Sequence, residues 1–255
     1  MNFKIFYHLN SHKIFFWLFF VTFLFQILFW KKTEKFKPSF DLIPPAPSKY
    51  LTSALSLGDK EFLFRVLVLR LQNSGDIFAG FVALKNYDYS RLYQWMKALD
   101  DLNSKANSVP ALASYYYSQT QKVEDTRYIV NYLDEHSSQN IDKNWWWMTQ
   151  AIYLAKGRLQ DIDLALKLAY KLSANNSTTA PLWTKQMPAF IHEEKGGKDD
   201  GCMAFFVIQK LIKESENGAR QIKPEEMNFM RHFINERLTK LKKQNFNPSK
   251  CRKIN

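Results

Sequence analysis

The chain has 255 residues, 46% of them hydrophobic, with only 8 Gly and 9 Pro, which is enough apolar material for a core and suits long helices. Its net charge of +12 sits at the ends: residues 1–50 contribute +5 and 239–255 contribute +6, leaving 23 basic and 22 acidic residues between them. A nearly neutral middle carries no basic face for phosphates and excludes nucleic acid as the expected partner, while the two cysteines, Cys202 and Cys251, form no CxxC or disulfide framework and leave the redox compartment open.

After a tail over residues 1–13, the segment Ile14 to Trp30 has no charge, and Thr22 and Gln26 are its only polar residues. At about 1.5 Å per residue it reaches roughly 25 Å, short for a bilayer but workable once Lys13, Lys31 and Lys32 snorkel. It is apolar all round, with Trp17 and Trp30 where interfacial aromatics belong, and no small-x-small cleavage site comes after it. These features predict one retained transmembrane helix over 14–30, making the chain a single-pass membrane protein. Flanking lysines nearly balance. An uncleaved N-terminal anchor exports the domain C-terminal to it, so the body is expected on the exported, periplasmic side. Residues 31–50, with Pro38, Pro44, Pro45 and Pro47, read as an extended linker.

From 51 to 241 the pattern is helical throughout. Asp59 caps a helix over Glu61 to Ser74 with Phe62, Val66, Leu69 and Asn73 along one side, and Gly75 ends it. Asp88 caps a second, whose inner face is Leu92, Trp95, Met96 and Leu99. Pro110 opens a helix with Leu112, Ala113, Tyr116 and Tyr117; its partner, Val123 to His136, carries Ile129, Tyr132 and Leu133. Asn144 to Leu172 is a third pair turning at Gly157 and Asp161, with Asp142 placed to cap its start. A fourth begins near Pro181 and runs through Trp183 and Phe190, turns at Gly196 and Gly197, and continues through Cys202 to Ile212. Pro224, Glu225 and Glu226 start a last helix to Leu241, and the basic tail 242–255 reads as disordered.

The pairs recur. Gly75, Ala113, Ala151 and Ala189 stand 38 residues apart, and Leu92, Ile129, Ala165 and Cys202 succeed one another at steps of 37, 36 and 37. A regular step of this size predicts an all-α stack of about four helix-turn-helix units closed by a C-terminal capping helix. Trp147, Ala151 and Leu154, with Ala165, Ala169 and Leu172, resemble the first- and second-helix positions of the tetratricopeptide repeats. That resemblance covers 51–241 and implies a right-handed stack whose groove takes a protein or peptide partner.

Catalytic and metal chemistry has little to stand on. In the loop His192 to Cys202 a phosphate-binding loop would need Gly at His192 and Ser or Thr at Asp199, and a zinc HExxH motif would need a second His at Gly196. His8, His12, His136 and His232 are dispersed. No cofactor is expected. Three consecutive tryptophans, Trp145 to Trp147, spread over about 200° of helix, so one buried stripe cannot hold them all. Trp147 goes with Met148 and Ala151 in the core. Trp146 lies with Gln150 and Tyr153 on a more polar side, and Tyr115 stands 38 residues before Tyr153. The resemblance adds Tyr117, Trp145 and Trp183 to these as groove residues. The expected function is a membrane-anchored scaffold for protein–protein interaction, the alternative an enzyme with its site in the groove; the sequence does not decide the oligomeric state.

Overall fold

The structure, a computed structural model, describes residues 3–33, 42–77, 80–174, 179–195, 198–216 and 224–243. It divides into two units, Met1–Asp41 and Leu42–Asn255. The first contains α1 (Phe3–Thr33), which begins within the segment expected to be a tail. Within α1 the stretch His12–Lys32 is long and apolar enough to cross a membrane, its 21 residues spanning about 32 Å against a hydrocarbon core of about 30 Å. Its large apolar side chains from Ile14 to Trp30 are exposed on every side, as lipid contact requires. The Thr22 hydroxyl donates back to the carbonyls of Leu18 and Phe19, both at 2.9 Å, so its polarity is satisfied inside its own helix.

The second unit begins earlier than expected. Leu42 to Pro47 is docked: Ile43 is buried, its carbonyl accepts from Arg91 Nη1 at 3.1 Å, and the Pro44 carbonyl accepts from Trp95 Nε1 at 2.7 Å. The end of the proline-rich linker is thus part of the folded body. Residues 34–41 lie outside the described residues, as does the tail beyond 243.

The helices are, in chain order, α2 (Lys49–Leu55), α3 (Lys60–Gln72), α4 (Tyr89–Asn103), the short α5 (Ser108–Ala111), α6 (Thr126–Gln139), α7 (Ile141–Gly157), α8 (Ile162–Ser173), α9 (Met187–Lys195), α10 (Lys198–Glu216) and α11 (Pro224–Lys243). From α6 to α11 each packs against the next, as do α2 with α3, α3 with α4 and α4 with α5, and α4 also reaches α6. The described strand content is a two-residue antiparallel pairing of Asp76–Ile77 with Gly80–Phe81.

Local chemistry explains the starts. Asp59 accepts from the Phe62 N–H at 2.9 Å, Asp88 from Arg91 at 3.0 Å and Asp161 from Leu164 at 2.9 Å, each satisfying a free donor of the first turn. At α7 the cap is Asn140, accepting from Lys143 at 3.3 Å, rather than Asp142, whose carboxylate instead accepts from the Thr179 N–H at 3.2 Å.

One core runs from Ile43 to Ile191 across α3 to α9; a smaller one joins Ala189 to Ala204, Ile208, Leu211 and Ile234. All four small positions, Gly75, Ala113, Ala151 and Ala189, are buried. On α3 the buried side is Leu63, Phe64, Leu67, Val68 and Leu71, and the Phe62, Val66, Leu69 side is exposed. Cys202 is disulfide-bonded and only partly buried, not an unpaired thiol in the core; the other cysteine, Cys251, lies outside the described residues.

Candidate functional site: an aromatic ladder

The three tryptophans at the start of α7 separate as a 100° step demands. Trp147 points inward and is buried, its Nε1 donating to Asn107 Oδ1 at 3.1 Å. Trp145 is half-buried. Trp146 is 40% exposed, and its Nε1 donates to the Tyr115 hydroxyl at 2.9 Å. Trp145 meets Trp146 edge to face with ring centres 5.7 Å apart, and meets Trp183 in the same way at 5.8 Å. Tyr115 in turn lies edge-on to Trp147 at 6.1 Å. Trp183, Trp145, Trp146 and Tyr115 therefore form one continuous ladder, its tryptophans in the edge-to-face geometry that the ring quadrupole favours and its last rung closed by the hydrogen bond.

Three separate elements supply it. Tyr115 comes from a π-helical turn, Leu112–Tyr116, that continues α5. Such a turn holds one more residue than an α-turn; here Ala113 and Tyr117 are buried while Tyr115 and Tyr116 are exposed. Trp183 comes from the 3₁₀ segment Leu182–Gln186, held against α7 by Thr179, which bonds both the backbone carbonyl and the carboxylate of Asp142. Gln150 lies one turn beyond Trp146, its Oε1 accepting from Ser114 Oγ at 3.4 Å. Tyr153, 49% exposed, continues the stripe 146, 150, 153.

Tyr117 does not join the ladder. It is fully buried, and its hydroxyl donates to the Leu71 carbonyl at 2.8 Å while its own carbonyl accepts from Tyr89 at 2.8 Å. Burial first, then the neighbouring phenols of Tyr87, Tyr116 and Tyr89, pushes its pKa far above the ordinary 10. It is a tie between α3 and α4, not a contact residue.

No family model matches the chain, and no curated protein or solved structure does.

One polar cluster escaped the sequence reading. Asp100 on α4, buried, accepts from the Tyr132 hydroxyl at 2.9 Å through Oδ1 and meets His136 Nδ1 at 2.7 Å through Oδ2. Burial, reinforced by the Asp100 carboxylate, raises the Tyr132 phenol well above its ordinary value. The cluster combines an acid, an imidazole and a phenol, but all three are enclosed between α4 and α6 and no substrate can reach them without opening the pair. Its signal was the 36-residue separation of Asp100 and His136, the same as the sequence spacing from Ile129 to Ala165. Among the described residues no group of three or more His, Cys, Asp or Glu is placed to hold a metal ion.

Proposed function

We propose that the chain is a membrane-anchored scaffold whose body, a right-handed stack of four tetratricopeptide-like helix pairs closed by α11, holds another protein or a peptide on the aromatic ladder. The observation that carries this reading is the exposure of Trp146, Tyr115 and Tyr153 on one side of a body whose other large tryptophans are buried or half-buried. Tryptophan and tyrosine give a large contact area at low entropy cost and dominate protein interfaces. The Trp146 to Tyr115 hydrogen bond holds two of the rings in place before any partner arrives. The ladder brings no acid, base or metal ligand with it, which favours binding over catalysis.

The exported side of the membrane fits this body. Cys202 is disulfide-bonded, and disulfides persist in oxidising compartments.

The test is capture from native membranes with the full chain as bait, comparing wild type with Trp146→Ala and Tyr153→Ala. A protein retained by wild type and by Tyr128→Ala, an exposed substitution on α6, should be lost with both Trp146→Ala and Tyr153→Ala. An identical captured set for all four baits would overturn the reading.

A further inference from the structure

The exposed apolar side chains of the body are unevenly distributed. Beyond Leu69 they are mostly tyrosines and one tryptophan, which carry a polar handle; between residues 50 and 69 they are Tyr50, Leu51, Leu55, Leu57, Phe62, Val66 and Leu69. The α3 residues Phe62, Val66 and Leu69 stand at i, i+4 and i+7, so they form one stripe on the side opposite the buried Leu63, Leu67 and Leu71. Phe62 is 66% exposed and Leu69 58%. The turn between α2 and α3 repeats the theme. Leu57 there has φ +46°, a left-handed conformation that a leucine adopts at a cost, and its side chain is 93% exposed. A helix apolar on both sides and a turn that holds a leucine out into solvent are features of a surface with a partner.

We propose that this N-terminal end of the body, the turn 56–59 with α2 and the outer stripe of α3, docks on the lipid headgroup region of the bilayer that α1 spans. The inference rests on the reading of α1 as a membrane anchor. Two facts select lipid over another occupant. First, α1 ends at Thr33 and the body begins at Leu42, so the chain that connects them can extend no further than about 30 Å. Second, Lys49 and Lys60 at the starts of α2 and α3 and Arg65 and Arg70 beside the stripe stand against Asp59, Glu61 and Asp101, the last paired with Lys49 at 3.1 Å, so this end of the body is net positive. Among the described residues Lys60 and Arg70 have no acidic partner, while Glu61 is taken up by Arg65 at 3.0 Å and by Asn103 at 2.7 Å. Apolar side chains with Lys60 and Arg70 near them match an interface of acyl chains under anionic headgroups.

The experiment places the photoreactive residue p-benzoylphenylalanine at one position at a time in the full chain, reconstituted in vesicles of phosphatidylcholine and phosphatidylglycerol. The positions are Leu57, Phe62 and Leu69, with Phe19 on α1 and Tyr128 on α6 as controls. After irradiation, mass spectrometry should find phospholipid adducts at Leu57, Phe62, Leu69 and Phe19 and none at Tyr128. Adding Phe62→Glu should remove the adduct at Leu57 and leave that at Phe19. Adducts at Phe19 alone would overturn the docking surface while leaving the anchor intact; their absence at Phe19 as well would overturn both. A cross-linked dimer from Leu57 or Phe62 would assign the patch to a second copy, and a cross-link to another protein in native membranes would assign it to that partner; either overturns the proposal.

Discussion

Gly75 is the first of the four small positions spaced 38 residues apart in the sequence, and the structure gives its smallness a direct cause. A Cβ placed there would lie 1.9 Å from the Tyr87 hydroxyl oxygen and 3.1 Å from the ring carbon that bears it, with the Val82 carbonyl oxygen at 3.5 Å. Tyr87 is buried, with its ring packed 6.2 Å from that of Tyr117, so the hydroxyl has no solvent to swing into. Gly75→Ala is thus an overpacking substitution, expected to cost about 1 to 3 kcal/mol. For a body of this size, with a shift of about 2 to 4 °C per kcal/mol, the melting temperature should fall by roughly 2 to 12 °C. Tyr87→Phe removes the atom at 1.9 Å and leaves the one at 3.1 Å, a contact relieved by a shift of a few tenths of an ångström. Alone it should cost about 0.5 to 1.5 kcal/mol, the worth of a phenol hydroxyl. The double variant should therefore lose less than the sum of the two single costs, with a favourable coupling of about 1 to 2 kcal/mol. Thermal unfolding of the detergent-solubilised chain, monitored by circular dichroism at the helical band, measures all four corners of the cycle. A Gly75→Ala variant as stable as wild type, or a double variant that loses the sum of the two single costs, would refute the placement of Tyr87 over Gly75.

Asp100→Ala strands the Tyr132 hydroxyl and the His136 ring in the core and should cost about 3 to 5 kcal/mol in urea unfolding, whereas Asp100→Asn, which keeps an acceptor, should cost about half as much. Asp161→Ala removes the cap of α8 and the Arg127 bridge at 3.0 Å, for about 1 kcal/mol. The Leu164 N–H, then Arg127, holds the Asp161 carboxyl below its ordinary 3.8. A depressed folded pKa gives stability that is complete above the unfolded value and lost as pH falls through the folded one, so the gap between wild type and Asp161→Ala should close on acidification below about pH 4. Trp147→Ala should cost about 3 to 5 kcal/mol as a core truncation, and Trp146→Ala, already 40% in water, clearly less; the reverse order would put the ladder inside the body. In protein alkylated without reductant, Cys202 should stay unmodified and become reactive only after reduction; labelling before reduction would remove the support for export.

Features set by neighbours in sequence were legible. The caps at Asp59 and Asp88 and the buried faces of α4, α6, α7 and α8 come from spacing over one or two turns. Trp147 inside and Trp146 outside come from the helical step alone. The unread features were decided by contacts made elsewhere. The α3 sequence KEFLFRVLVLRLQ has apolar residues on two sides, and only packing on α4 chooses Leu63, Leu67 and Leu71 over Phe62, Val66 and Leu69. The docked linker is held through the backbone carbonyls of Ile43 and Pro44, groups that every residue possesses and no side-chain pattern announces. Tyr117 was placed in the groove by analogy with first-helix positions; the π-turn before it shifts the register, and the ring points into the core.

The ladder draws on three separate parts of the chain. Tyr115 belongs to the turn before α6, Trp145 and Trp146 open α7, and Trp183 stands before α9, next to the point where the large core gives way to the small one around Ala204 and Ile208. The ring contacts and the Trp146 to Tyr115 hydrogen bond tie these segments to one another on the outer surface, in addition to the ties made in the core. A ring gripped on two sides loses little freedom when a partner covers it, and so less of the contact energy goes into ordering it. Trp145, which touches both Trp146 and Trp183, is the middle of this arrangement. The spacing of Tyr115 and Trp183 is set by three helical segments, with Thr179 bonded to Asp142 of α7 as one of the ties.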